Sequence, residues 1–396
     1  MTSTHYLMPT YEPLPIAFER GEGAWLWDTD GNRYLDAIGG IAVCALGHAH
    51  PKVTQAISEQ AHKIIHTSNL VNIPNAEHLA KMLVERSQME NVFFANSGAE
   101  ANECAIKLAR LFGHKKGIEK PTIIVMENAF HGRTLATLSA SGSRKVQAGF
   151  EPLVSGFLRV PYDDIGTLQT VANTRDDVVA IMVEPIQGEA GVLIPADGYL
   201  KALREICNEQ GWLLILDEIQ TGMGRTGLWF DHQREHILPD VMTLAKALGN
   251  GFPIGACLAH GPAASLFAPG NHGSTFGGNP LATRVGIAVI EAMEQENLLE
   301  NAALRGKWLL NTLHGALADK PRVVAVRGRG MLIGVKLDRP CRDPLLMRAA
   351  KRGVIFNIAS NSTIRLAPPL IYTQEQTELL AQTIIDLVLE YGQEQN

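Results

Sequence analysis

Residues 212–227 read WLLILDEIQTGMGRTG. Five apolar residues run without a break and stop at an acid, Asp217; glycine and threonine follow. The run has the length of a strand and is apolar on both of its faces, as in a parallel sheet covered by helices on each side. Ligands of such sheets bind beyond the carboxyl ends of the strands, where Asp217 lies. Read alone, Asp217 also suits a structural acid that caps the next turn. LLILDE has the form of a Mg²⁺-holding Walker B strand, but the chain has no G-x-x-x-x-G-K-[ST], which disfavours a nucleotide-driven ATPase. Gly222, Gly224 and Gly227 spell G-x-G-x-x-G. They do not join strand to helix directly, and LWFDHQREH is a poor helix to follow, so the motif is weak as a dinucleotide signal.

The same pattern repeats outward from this stretch. NVFFAN (91–96), TIIVME (122–127), DVVAIMVEP (177–185), DVMTLA (240–245) and IGACLAH (254–260) alternate with helical periodicity. The fold class is therefore α/β. Upstream, GAWLWDTDGNRYLDAIGG (23–40) alternates about an Asp30-Gly31 turn, a hairpin signal, and helical patterns fill 50–67 and 75–88. Downstream, 281–320 reads as a long helical stretch with a kink or break. VVAVRGRGMLIGVKL (323–337) reads as a hairpin and 374–391 as an amphipathic helix. The expected organisation is an N-terminal segment, 1–50, contributing to a small α+β domain; a large domain, 51–280; and a C-terminal small domain, 281–396.

Composition limits the function classes. Hydrophobic residues are 46% of the 396 and charged residues 19%, as in a globular enzyme rather than a disordered chain. A net charge of −6 offers no broad attraction for nucleic acid. Five cysteines without C-x-x-C spacing read as reduced packing thiols, hence a cytoplasmic protein. The stretch from residue 1 lacks the basic and apolar regions of a signal peptide, and no apolar run has the length of a membrane span. His48 and His50 in GHAHP lack further ligands at metal spacing, so no metal is expected.

Each strand end has its own candidates. In NSGAEANECAIKLA, Ser97 and Glu100 fit a capping box, and the small Gly98 and Ala99 leave backbone N–H groups open to an anion. In MENAFHGRT, Phe130 suits packing or stacking on a flat ring, and Arg133 suits a surface ion pair or a carboxylate grip. Glu184 and Glu189 follow another strand as solvated acids or as balance for a cationic pocket. In DVMTLAKALGNGFPIGACLA (240–259), Lys246 is the one charged side chain after the opening aspartate. A lysine among apolar residues has its charged form disfavoured, and an uncharged amine attacks carbonyls; the bland alternative is a lysine snorkelling to water. A phosphate cup, an aromatic plate, a strand-end acid and such a lysine together suit pyridoxal phosphate.

With NSGAEANE, FHGRT, EPIQGEAGV, LLILDEIQTGMGRTG, TLAKALGNGFPIGA and GSTFGGNPLA in this order, the chain resembles the class III pyridoxal-phosphate aminotransferases of fold type I, of the ornithine/acetylornithine type. The resemblance runs end to end and implies a large domain with a mostly parallel seven-stranded sheet. It implies that Lys246 forms the Schiff base and shuttles the proton, and that Asp217 holds the pyridine nitrogen. Phe130 and Ile219 would cover the two ring faces, Gln220 would stand near the ring hydroxyl, and Gly98 and Ala99 would bind the phosphate. Thr275 would reach the phosphate in a neighbouring subunit of a homodimer, with Ser274 near that substrate. Arg133 would bind the α-carboxylate of the donor. Arg365, in STIRLAPPL, would bind that of glutamate or 2-oxoglutarate, with Glu189 pairing it while a terminal amine is processed. The implied reaction moves the terminal amino group of N-acetylornithine to 2-oxoglutarate. Succinylornithine, succinyl-diaminopimelate, ornithine and 4-aminobutyrate are alternative donors. A semialdehyde mutase would share the chemistry without 2-oxoglutarate, and a non-catalytic scaffold would be expected to lack Lys246 or Asp217. Val71, in HTSNLVNIP, stands where relatives often carry an aromatic.

Overall fold

The computed structural model describes residues 6–393, so part of the N-terminal stretch considered above, residues 1–5, lies outside the described residues. Near the start, β1 (Phe18–Glu22), β2 (Trp25–Asp28) and β3 (Arg33–Asp36) form an antiparallel meander. The Asp28 carboxylate closes the β2–β3 turn by accepting from the backbone N–H groups of Asp30 (3.0 Å) and Asn32 (2.8 Å), which is the local bonding that favours aspartate in turns. Helices α1 (Pro51–Ala61) and α2 (Pro74–Ser87) follow, each with proline at its first position, where the missing N–H costs nothing.

Seven strands then make the central sheet: β4 (Asn91–Ala95), β5 (Thr122–Met126), β6 (Phe157–Val160), β7 (Val178–Val183), β8 (Leu213–Asp217), β9 (Val241–Leu244) and β10 (Gly255–Ala259). Their order is β4-β10-β9-β8-β7-β5-β6. Only β10 runs against the rest, pairing antiparallel with both β4 and β9. Every residue of β5, β7, β8, β9 and β10 is buried, as their unbroken apolar runs require. The strand not read from the sequence is β6, four partly polar residues at the sheet edge. Helix α3 (Gly98–Lys115) packs on the sheet through Ala101, Ala105, Leu108 and Ala109.

Beyond the sheet, α4 (Pro280–Gln295) and α5 (Leu298–Leu317) are separated by Asn297, which has φ 52°. That left-handed residue, of a type that tolerates the region, is the break expected within 281–320. The last sheet is β11 (Val323–Arg329), β12 (Leu332–Leu337), β14 (Asn357–Ala359) and β15 (Thr363–Leu366), in the order β11-β12-β15-β14. Between them β13 (Val354–Ile355) pairs in parallel with β3, and α6 (Gln374–Gln393) closes the chain. No described helix is long and apolar enough to cross a membrane. All five cysteines are free thiols, four of them buried.

The G-x-G-x-x-G loop has a packing role. A Cβ on Gly224 would meet Met293 of α4, and one on Gly227 would meet Ala303 of α5, so these glycines let the loop lie against both helices. His48 and His50 have separate partners: Nε2 of His48 bonds Asp36 (2.8 Å) and Nε2 of His50 bonds Glu296 (3.0 Å).

Candidate active site

A cavity of about 400 Å³ opens beyond the carboxyl ends of the central strands. The turn after β4 supplies Asn96, Ser97, Gly98 and Ala99. The loop after β5 supplies Phe130, His131 and Arg133. Glu184 and Glu189 follow β7; Asp217, Ile219 and Gln220 come from the end of β8; Lys246 follows β9. Val43 and the 251–254 turn complete the wall.

Its inner end is a buried hydrogen-bond network centred on Asp217. Asp217 Oδ2 accepts from Asn102 Nδ2 and bonds His131 Nδ1, both at 2.8 Å, and Oδ1 accepts the Ile219 N–H at 3.1 Å. Asn102 is itself fixed, donating to the His131 carbonyl (2.8 Å) and accepting from Thr243 Oγ1 (2.8 Å). Asn102, His131, Thr243 and Asp217 are all buried, so each bond is made away from competing water. Burial works against a charge on His131, but the hydrogen bond and charge of Asp217 outweigh it and raise the imidazole pKa. His131 Nε2 has no partner among the described residues. Burial pushes Glu184 up to about 7, and the nearby Asp217 adds to the rise; its Oε1 accepts the Phe130 N–H at 2.9 Å.

Lys246 stands opposite with no hydrogen bond or ion pair among the described residues. Its φ is +46°, a region non-glycine residues seldom occupy, in a buried stretch where β9 turns into a 3₁₀ turn. Removal from water lowers its pKa, although Glu189, Asp217 and Glu184 pull the other way. The lysine thus lines the cavity with its charged form disfavoured by burial and with no ion-pair partner among the described residues.

At the next wall Ser97 caps α3, its Oγ accepting the Glu100 N–H at 3.2 Å. In return the Asn96 N–H donates to the Glu100 carboxylate (2.8 Å), one residue earlier than a capping box requires. A Cβ on Gly98 would lie 2.8 Å from Ile219 Cδ1, so only glycine lets Ile219 close over the helix start. A Cβ on Gly188 would collide with the Gln220 amide, whose Oε1 has no partner among the described residues.

The outer end is looser. Arg133 is exposed, with its guanidinium carbon 5.9 Å from the Phe130 ring centre, and it has no ion pair among the described residues. Arg365, on β15 and 1% exposed at its side chain, pairs with Glu189 at 2.5 Å, while the Glu189 side chain is 35% exposed. Burial opposes the Glu189 charge, but Arg365 outweighs it and lowers the pKa. Arg365 Nε donates to Asn357 Oδ1 (3.1 Å), and Nη2 has no partner among the described residues.

Of the residues singled out in the sequence, Gly98, Ala99, Phe130, Arg133, Glu189, Asp217, Ile219, Gln220 and Lys246 line this one cavity, and Arg365 joins it through Glu189. Ser274 and Thr275 do not. They line a separate hollow with His66 and Asn69, although Asn96 Nδ2 donates to Ser274 Oγ at 3.2 Å. Val71 is 57% exposed and outside the cavity wall of its own chain. Asn102 had no assigned role; the signal for it was a polar residue on the buried, alanine-rich face of the helix in NSGAEANE.

Residues 6–388 match the family model described as aminotransferase class-III. The chain is 52% identical over 383 residues to an acetylornithine aminotransferase of Nitrosomonas europaea, covering 97% of each chain. The ornithine aminotransferase of Toxoplasma gondii superposes with a TM-score of 0.95 at 34% identity, covering 98% of this chain and 94% of that one. An acetylornithine aminotransferase of Elizabethkingia anophelis gives 0.88 at 36% identity, covering 97% and 96%.

Proposed function

The chain belongs to the class-III aminotransferases, and from that premise we propose that it moves the terminal amino group of N-acetylornithine to 2-oxoglutarate, giving N-acetylglutamate semialdehyde and glutamate, a step of arginine biosynthesis. The observation that carries this reading is that Lys246, without a hydrogen bond or ion pair among the described residues, lines one cavity with an Asp217 held by Asn102 and His131, the Glu189–Arg365 pair lying at its edge.

The cofactor is pyridoxal phosphate, and the residues present suit it. Gly98 and Ala99 open a helix of 18 residues, where free N–H groups and the helix dipole favour a phosphate. Phe130 and Ile219 offer two apolar faces, the unpartnered Gln220 Oε1 offers a polar contact, and Asp217 offers a buried carboxylate for a ring nitrogen. When bound, pyridoxal phosphate supplies an electron sink for the charge left on a substrate carbon that loses its proton.

The chain's own groups do the rest. Lys246 Nζ would hold the cofactor and would give and take the proton that the reaction moves. Asn102 and His131 keep Asp217 in one orientation, in which it would hold the ring nitrogen without rearrangement. Arg133 binds the donor's carboxylate in bidentate fashion. Arg365 binds the carboxylate of glutamate or 2-oxoglutarate after Glu189 turns away. With Glu189 in place, Arg365 is masked and a terminal amine can enter with no carboxylate beside it.

The active unit is a homodimer in which Thr275 and Ser274 serve the partner's cavity. Support comes from the apolar surface beside them, where Leu70 is 92% exposed, Phe276 60%, Val71 57% and Ile65 55%. Five unpaired cysteines support a cytoplasmic location. The parallel pairing of β3 with β13 supports grouping 1–50 with 281–396 as the small domain around a large domain of 51–280.

The test is spectroscopic. Purified holoenzyme is mixed with N-acetylornithine, ornithine or 4-aminobutyrate, and the coenzyme absorption is followed. Fastest bleaching with N-acetylornithine, reversed by 2-oxoglutarate, is expected. A response confined to another amine would move the substrate, and no response to any amine would sink the reading.

A further inference from the structure

The small sheet aligns four residues in one row. Arg327 on β11 faces Gly334 on β12, Gly334 faces Arg365 on β15, and Arg365 faces Asn357 on β14. Directly opposed residues of antiparallel strands point to the same face. Arg327, Arg365 and Asn357 therefore share a face, with a gap at Gly334 where a side chain is missing. The 188–192 loop, which carries Glu189, lies over that gap. A Cβ on Gly334 would stand 3.0 Å from Val192 Cβ and 3.2 Å from the Gly191 carbonyl oxygen.

Two arginines of the row grip this loop in different ways. Arg365 takes the Glu189 carboxylate. Arg327 takes backbone: Nε donates to the Val192 carbonyl and Nη2 to the Gly191 carbonyl, both at 2.8 Å. Arg327 is partly buried and pairs with no carboxylate among the described residues, so its guanidinium is committed to those two carbonyls.

We infer that Arg327 is a positioning residue for the Glu189–Arg365 pair, fixing the loop backbone so that uncovering Arg365 is a rotation of the Glu189 side chain alone. This rests on the aminotransferase reading above. A pinned backbone keeps Glu189 aimed at Arg365 and lowers the ordering cost of each re-pairing. Without the pin, Glu189 must order its loop as well as its side chain to mask Arg365. The masked state loses population and the uncovered state gains it. Substrates that need an uncovered Arg365 then benefit, and donors that need it masked suffer.

The test compares single half-reactions of the holoenzyme, followed by coenzyme absorption, for N-acetylornithine and for glutamate. In Arg327→Met the ratio of kcat/KM for glutamate to that for N-acetylornithine should rise about five- to ten-fold, the range expected when about one loop residue must be ordered afresh to reach the masked state. Arg327→Lys, which keeps a donor for one carbonyl, should return part of the way. Gly334→Ala, which pushes on the loop with Arg327 intact, should shift the ratio in the same direction and carries the test if the methionine variant does not fold. An unchanged ratio, or equal losses in both half-reactions, would overturn the inference. If wild type ignores N-acetylornithine but answers another terminal amine, the donor assignment fails and the same ratio is measured with that amine.

Discussion

The two ends of the cavity are built on different principles. At the inner end Asp217, Asn102, His131 and Thr243 are buried on the central sheet and bond one another in fixed geometry. At the outer end Glu189 is one-third exposed, Arg365 keeps an unpartnered nitrogen, and Arg133 is exposed without an ion pair among the described residues. A buried network whose members bond one another holds one arrangement, whereas a pair with one partly exposed member has a second arrangement within reach. In the proposed reaction the inner end would serve a step common to every turnover, and the outer end would accept two molecules that differ in where their carboxylates lie.

The largest expected effect lies at the inner end. Lys246→Ala removes the one lysine that lines the cavity among the described residues, and turnover should fall by more than about 10⁴-fold in both half-reactions, with the fold retained by circular dichroism. Substantial residual turnover would remove Lys246 from the chemistry. Next, Arg133→Ala should act on one substrate alone. Losing a bidentate partner for a carboxylate costs about 2–3 kcal/mol, so kcat/KM for N-acetylornithine should drop about 30- to 150-fold with the glutamate half-reaction little changed. Equal losses for both substrates would erase the contrast between the ends. Asn102→Ala should give smaller losses, about ten-fold, shared equally by the two half-reactions, because it leaves Asp217 and Thr243 each short of one buried bond. Loss confined to one half-reaction would mean that the inner end, too, discriminates between substrates.

The inner end was also the more legible in sequence, for a physical reason. Asp217 and Lys246 follow apolar runs too uniform to be anything but buried strands, and a charged residue at the end of such a strand stands out. Asn102 and His131 do not stand out, because their meaning is a contact with Asp217 across 115 and 86 residues of chain. The row Arg327–Gly334–Arg365–Asn357 was hidden for a similar reason: strand register depends on pairings between segments that local periodicity cannot align. Strand β6 escaped notice because four residues carry too little pattern. Ser274 and Thr275 lie in a hollow of their own, consistent with a role that needs a second chain.

The last expected effect is on stability rather than rate, and it sharpens what fixed geometry costs the inner end. Glu184 is buried beside Asp217, and its pKa is pushed up from 4.5 to about 7. Below about pH 4.5 the carboxyl is protonated in folded and unfolded chains alike and contributes no pH dependence. Between 4.5 and about 7 the unfolded chain releases this proton first, so the folded state loses stability as pH rises. Above about 7 both states are ionised and the deficit is constant. The gap between the two values corresponds to about 3 kcal/mol. Glu184→Gln keeps an oxygen for the Phe130 N–H but cannot ionise. The variant apoenzyme should therefore match wild type near pH 4.5 and exceed it increasingly towards pH 7, read as the difference in thermal midpoint across that range. His131, whose raised pKa also makes stability fall as pH rises, is present in both proteins, so the difference isolates Glu184 and its coupling to that ring. Parallel midpoint curves would mean that Glu184 ionises as freely in the fold as in the unfolded chain, and that the inner end carries its buried acids without strain.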